Sequence, residues 1–540
     1  MPRRFSTLAA PPERPFPLWI LYPLFFTGIY LAHSALLRLP YFWDEAGYYI
    51  PAALDFFRTG SLIPHSTLTN AHPPLPSMLL SAWWHIGGTS IQGTRTFLCM
   101  VAAAALLGVF RLARILAGTP VAIAATALTA LYPIWFTQST LAHADIFAAA
   151  FSLWALSYYF ENRAPALIAV LFSLAALSKE TAIVTPVALA LWHIAGRLVA
   201  RPNFDTAVTH SSQSHREQWT SSKLLPALLF PILPLAAWYA YHHHATGFTF
   251  GNPEFLRYNA TANLSPLRIL LSFWHRTVHL LFHMNMWVPF ATTLAIFPMA
   301  RWDGDSESTR IPADLLILLL ANALAFSVLG GALLTRYLLP MYPLVLILCI
   351  TTWQRRTHLW TGLVALTALA FVAALFLNPP YSFAPEDNLT YRDFITLHQR
   401  AITILARDFP QATVLTAWPA TAELTYPDLG YLRAPMRTVA LDNFSADQLR
   451  KAVDTPGAYD TALLFSSKYV PPSNLLTRQT EVPDTRFFDF HRDLSPLEAA
   501  TLLHGQIIWQ ARLHGEWAAI LRFPRSNEAR LDQSPFTHPE

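Results

Sequence analysis

The chain has 540 residues, 53% of them hydrophobic and only 13% charged, with a mean hydropathy of +0.32, which excludes an ordinary soluble protein of that length and indicates an integral membrane protein. A net charge of +4, with no basic block interleaved with aromatic residues, speaks against nucleic-acid binding. The two cysteines, Cys99 and Cys349, lie far apart in separate apolar runs, so neither a disulfide framework nor a cysteine metal site is indicated.

A basic N-terminal stretch, MPRRFSTLAAPPERP, precedes an apolar run starting at Leu18. That run has about 20 residues, the length that crosses a hydrocarbon core as a helix. It is longer than a signal-peptide core and reads as an uncleaved anchor. Further spans are expected near residues 94–116, 119–137, 146–160, 165–178, 181–197, 224–241, 281–299, 313–333, 337–352 and 359–378, roughly eleven in all. Residues 75–88 are apolar but too few to span, as in an interfacial or re-entrant helix. With the N-terminus on the cytoplasmic side, the inner segments, which hold Arg3, Arg4, Arg111, Arg114, Arg197, Arg355 and Arg356, are denser in Arg and Lys than the outer ones. An odd number of spans then places the chain after about Tyr381 outside.

That tail reads differently. Short β-type runs, ATVLTAW, RTVALDNF, YDTALLFSS and EWAAILRF, alternate with helical patterns such as RDFITLHQRAITILARDF. The expected organisation is a mainly α polytopic membrane bundle over residues 1–380, followed by a small extracytoplasmic α/β domain over 381–540.

Under this topology the unusual polar residues collect on the outer side. Asp44 and Glu45 lie among aromatics in YFWDEAGYY, His72 in AHPPL, His143 and Asp145 in LAHADIF, and Lys179 with Glu180 in LSKET. The run His242, His243 and His244, then Arg257, Tyr258 and Asn259, follow a later span, and Arg336 with Tyr337 begins another. Ionisable groups beside apolar spans are costly and face a cavity or a partner, so one outward-facing polar cavity is expected. Other readings stand beside this one. Lys179 and Glu180 can form a local ion pair, and Arg336 with Tyr337 an interfacial anchor. Three successive histidines cannot all point one way, which argues against a three-His metal site.

The order of anchor, DE loop (Asp44, Glu45), HPPL (from His72), AHADIFAAAFSLWALSYYF (residues 142–160), LAALSKETA (174–182) and TRYLLPMYPL (335–344) resembles the membrane glycosyltransferases of the GT-C fold. The similarity covers about residues 18–378. Its nearest branch holds the aminoarabinose transferases of lipid A and the protein O-mannosyltransferases, the RgtA/B/C/D-like group. The resemblance implies transfer of a sugar from a polyprenyl-phosphate carrier to a hydroxyl or phosphate of a lipid, glycan or protein. It places that reaction at the outer, periplasmic face of a bacterial inner membrane, usually with inversion.

The resemblance also suggests roles. Asp44 would be the general base, with Glu45 and Asp145 as further catalytic carboxylates. Lys179, Arg257, Arg336 and Tyr337 would face the donor phosphate, and His72, Glu180, Tyr258 and Asn259 the substrates, Glu180 also positioning Lys179. A divalent metal ion held by Glu45, His72 and His143 is compatible with the fold without being required by it. His72 departs from the pattern, since the aminoarabinose branch has a lysine before PPL. A transporter or flippase of lipid-linked sugars would use similar residues along a translocation path, but no paired halves are visible and the polar residues gather at one face.

Overall fold

A computed structural model describes residues 17–199, 223–251, 253, 265–299, 313–329, 332–455, 457–471, 485–488 and 491–523. Arg257, Tyr258 and Asn259 lie outside the described residues.

Every apolar run expected to span contains a helix: Leu18–Ala32, Ile91–Ala117, Thr119–Leu131, Ala144–Glu161, Pro165–Ser178, Val184–Val199, Ile232–Thr246, Trp287–Ile296, Ala313–Leu329, Tyr342–Arg356 and Trp360–Phe376. Among the described residues three helices are long and apolar enough to cross a membrane, Ile91–Ala117, Glu180–Leu198 and Lys223–Thr246, and six shorter ones are apolar. The count of eleven crossings therefore exceeds what helix length alone supports. Proline is one cause of the short helices: the run expected at 119–137 breaks before Pro133, which opens a new helix, Pro133–Gln138. The run expected at 281–299 starts late for another reason, because Met284 takes a positive φ of 46° ahead of Trp287–Ile296.

Solvation by lipid shows in which faces are outside. Helix Pro266–Leu281 buries Arg268, Ser272 and Arg276 while Leu267, Leu270 and Trp274 are exposed. That is the reverse of a helix on a water-soluble protein. The Arg276 guanidinium donates to the carbonyls of Leu334 (2.9 Å) and Ala332 (3.0 Å), pinning the segment that leads into Arg336. Residues 75–87 form the short helix expected there.

The tail holds a five-stranded sheet of β1 (Thr413–Ala417), β2 (Arg437–Leu441), β3 (Thr461–Phe465), β4 (Gln506–Leu513) and β5 (Glu516–Arg522), in the order β2-β1-β3-β5-β4. The first three strands are parallel, and β3, β5 and β4 pair antiparallel. Strand β4 had no counterpart among the expected runs, because its residues alternate between half-buried and exposed along an edge. The helical pattern RDFITLHQRAITILARDF forms helix Thr390–Asp408, which packs on this sheet.

The tail is docked on the first outer loop. Tyr41 N–H donates to the Leu429 carbonyl (3.1 Å), and the hydroxyls of Tyr431 and Tyr426 donate to the carbonyls of Tyr41 (3.1 Å) and Ser66 (2.7 Å). Trp418 lies edge-on to Trp43, with ring centroids 5.1 Å apart, and directly over Gly47. A Cβ at Gly47 would stand 2.3 Å from the indole nitrogen, so only glycine permits this approach. Gly47→Ala is expected to displace Trp418 and cost about 1–3 kcal/mol. Thermal unfolding in detergent and limited proteolysis of the tail check this; an unchanged melting temperature and cleavage pattern would contradict it.

Candidate active site

The DE loop turns its two carboxylates in different directions. Trp43 adopts a positive φ of 46°, a conformation that costs of order 1–3 kcal/mol. A π-helical turn, Glu45–Tyr49, follows at once, a feature found often at functional sites. Glu45 points into the protein and is fully buried. Its oxygens take both terminal nitrogens of Arg95 (3.1 and 3.3 Å) and the backbone N–H groups of Phe42 (2.8 Å) and Ala142 (2.6 Å). Arg95 also donates to the carbonyls of Leu39, Pro40 and Thr140, so this pair ties the DE loop to two other segments. Glu45 is thus a buried structural carboxylate and not the catalytic group expected from its place beside Asp44.

Asp44 faces the other way and borders a cavity of about 760 Å³. It is ion-paired with Arg336 Nη2. The same guanidinium meets Glu386 Oε2 through Nη1 at 2.5 Å, and its Nε lies 3.4 Å from Asp145 Oδ2. The other Asp145 oxygen pairs with Lys179, whose ammonium sits 3.9 Å from the centre of the Tyr337 ring. Five expected site residues, Asp44, Asp145, Lys179, Arg336 and Tyr337, thereby come together from four separate stretches of chain.

The expected support of Lys179 by Glu180 is replaced by another pairing. Lys179 is extended (φ −150°, ψ 123°) between helix Pro165–Ser178 and the short 3-10 turn Glu180–Ile183, which sends adjacent side chains to opposite sides. Lys179 turns to Asp145, and Glu180 accepts from His72 Nδ1 at 2.8 Å. His72 stacks on Tyr49 with ring centroids 6.0 Å apart, and His143, on another side of Tyr49, donates to Gln138 Oε1 at 2.9 Å. The residues suggested for a metal do not fit one. Arg95 neutralises Glu45, Tyr49 neighbours both His72 and His143, and among the described residues no group of three or more His, Cys, Asp or Glu is placed to hold an ion. His242 is likewise occupied, donating to the Phe248 carbonyl and accepting from Thr69 (both 2.6 Å).

Sequence reasoning missed Glu386, which follows the last apolar run in the short turn Pro385–Asp387. Its backbone carbonyl accepts from Thr137 Oγ1 (2.5 Å), and the neighbouring Asp387 is bonded to His283 (2.9 Å) and Thr335. Burial pushes the Glu386 carboxyl up to about 8 despite the adjacent Arg336, with Asp44, Asp387 and Asp145 adding to the rise. A neutral Glu386 leaves Arg336 and Lys179 to balance Asp44 and Asp145 one for one. Folding then takes up a proton at Glu386, so its contribution to stability is complete below the ordinary carboxylate range and is lost as pH rises through about 8. Wild-type melting temperature should therefore fall between about pH 5 and 8 and level off above that, and Glu386→Gln should flatten that fall. Equal slopes for the two proteins in detergent would overturn this assignment.

One wall of the cavity is the membrane part, with Trp43, Asp44, Tyr48, His72, Lys179, Arg336 and Tyr337; the other is the tail, with Trp418, Tyr426, Asp442, Asn443, Phe444 and Asp493. A base, two cations and a two-sided enclosure can bind a large amphipathic substrate and move a proton from a hydroxyl.

Residues 71–211 match the family model for dolichyl-phosphate-mannose-protein mannosyltransferase. The structure is similar to that of ArnT from Cupriavidus metallidurans bound to undecaprenyl phosphate, with a TM-score of 0.52 and 12% identity over 93% of this chain and 98% of that one. The apo state of the same enzyme gives the same values. The Archaeoglobus fulgidus oligosaccharyltransferase matches with a TM-score of 0.45 and 12% identity, over 83% of this chain and 68% of that one. No curated protein matches in sequence. Together, the family-model match within the membrane part and the ArnT fold along nearly the whole chain support a multi-pass membrane glycosyltransferase as the class. This chain has the fold of ArnT, a GT-C glycosyltransferase, over nearly its whole length, and its residues 71–211 are similar to the dolichyl-phosphate-mannose-protein mannosyltransferase family.

Proposed function

We propose that the chain transfers a sugar from a polyprenyl-phosphate-linked donor to an acceptor hydroxyl or phosphate, with inversion, at the outer face of a bacterial inner membrane. The observation that carries this is the position of Asp44: the carboxylate of the DE loop enters the large cavity beside Lys179 and Arg336. In this reading Asp44 accepts the acceptor proton as oxygen attacks the anomeric carbon. Arg336 aims Asp44 through their ion pair. The phosphate leaves with growing negative charge, and Lys179 and Arg336 stabilise it by sharing the carboxylates that now hold them. Asp145 positions Lys179, and Tyr337 gives its ammonium an aromatic face. His72 and Glu180, joined at the cavity edge, orient substrate. Arg257, Tyr258 and Asn259 are proposed on sequence grounds as further donor and substrate contacts. No step is assigned to a divalent metal, because the residues suggested for it are engaged elsewhere.

The test is sugar transfer by the purified protein in liposomes, offering radiolabelled polyprenyl-phosphate sugars with a membrane lipid extract. Label passing from carrier to a second product supports the transferase, and that product gives the acceptor class. Label that stays on its carrier but crosses the bilayer supports a flippase instead.

A further inference from the structure

The tail side of the cavity is the carboxyl end of a parallel sheet. Ala417 ends β1, Leu441 ends β2 and Phe465 ends β3, and all three line the cavity together with the residues that follow them: Trp418, Asp442 to Phe444, and Ser467. The order β2-β1-β3 places β1 at the centre, with the second strand on one side and the third on the other. Chain direction away from the sheet reverses there, so the loops after β1 and β3 part and leave a crevice. In open α/β sheets this crevice, outside the carboxyl ends of the strands, is where ligands bind. Here it opens onto the cavity bordered by Asp44.

The chemistry of the two walls differs. The membrane side contributes Lys179 and Arg336, which suit a phosphate. Among the described lining residues the tail contributes no lysine or arginine, and its histidine, His491, stands 3.6 Å from Asp493, which also accepts from Ser467; Asp442, Asn443, Thr421 and Thr425 complete the polar surface. Such a surface disfavours an anion. It suits a neutral ring with many hydroxyls, whose C–H face lies on an aromatic side chain and whose hydroxyls donate to carboxylates.

On the reading that Asp44 is the base of a sugar transfer, we infer that the crevice at the carboxyl ends of β1, β2 and β3 is the acceptor subsite, and that the acceptor presented there is a sugar unit. Trp418 is its platform. Gly47 and Trp43 fix that indole, which links acceptor position to the DE loop.

Full-length protein in nanodiscs is the material for the test, read by saturation-transfer NMR. The probes are a panel of neutral disaccharides, a serine- and threonine-containing hexapeptide, and inorganic phosphate. At least one disaccharide should receive saturation from wild type, and Asp442→Asn, at an exposed position, should weaken its binding by about tenfold, a loss of about 1.4 kcal/mol. Trp418→Ala should abolish the signal and Trp418→Phe should restore much of it. Asp44→Asn should leave it intact, so binding is read independently of chemistry. No disaccharide binding to folded wild type, binding insensitive to both Asp442→Asn and Trp418→Ala, or hexapeptide binding that Asp442→Asn weakens would each overturn the assignment. If disaccharide binds as described but no sugar is ever transferred, the crevice stands and the transferase reading fails.

Discussion

Asp44→Asn is expected to lower sugar transfer by about 10²–10⁴-fold, the contribution usual for a positioned general base, while leaving a folded protein. Asparagine keeps the size of the side chain and one oxygen to accept from Arg336, but it cannot take a proton at neutral pH. Removing the charge leaves Arg336 and Lys179 facing only Asp145 as an ionised partner. Glu386 supplies the compensation: its carboxyl, held near 8 partly by Asp44, should ionise more readily in the variant. Two readouts therefore accompany each other. Transfer falls, and the loss of stability with rising pH is smaller and ends at a lower pH than in wild type. Binding of the donor should persist, since the cations remain. Transfer within tenfold of wild type, in protein that is folded and binds donor, would remove Asp44 from the role of base.

How far the sequence could be read follows from the kind of signal each residue carries. Asp145, Lys179 and Arg336 are ionisable groups at the margins of apolar runs, and their cost in such places marks them without any knowledge of partners. Which of them pair is a different matter. Lys179 pairs with a residue 34 positions away and Arg336 with one 292 positions away, and neither separation leaves a local pattern. Adjacency misled in two places. Glu45 beside Asp44, and Glu180 beside Lys179, were assigned to their neighbours' chemistry, whereas an extended residue or a helical turn sends successive side chains apart. Glu386 sits in an ordinary-looking PED turn that is buried against Thr137 and Arg336, residues far from it in sequence. The strands were legible where both faces are covered, as in LLF of β3, and illegible at the half-exposed edge strand β4. The outward-facing cavity was legible from its polar residues, but its second wall was not, because the tail residues that form it, such as Trp418 and Asp442, carry no signal of where they dock.

Arg95→Met should destabilise the protein by about 3–5 kcal/mol, the cost of leaving a buried carboxylate without its partner. The side chain is 1% exposed and that of Glu45 0%, so water cannot replace the lost bonds. Three carbonyls, of Leu39, Pro40 and Thr140, lose their donor at the same time. The expected result is a large fall in melting temperature and little monodisperse protein on gel filtration in detergent. Glu45→Gln should be severe for the converse reason, since it leaves Arg95 charged and enclosed. The double variant removes both charges, so its loss should be smaller than the sum of the two, with a coupling of about 0.5–3 kcal/mol. Transfer measured per folded molecule separates structure from chemistry. Glu45→Gln molecules that fold should retain activity, because Asp44, Arg336 and the cavity do not include Glu45. A Glu45→Gln protein as stable as wild type but inactive would instead return Glu45 to the reacting groups and make the Arg95 pair part of the mechanism.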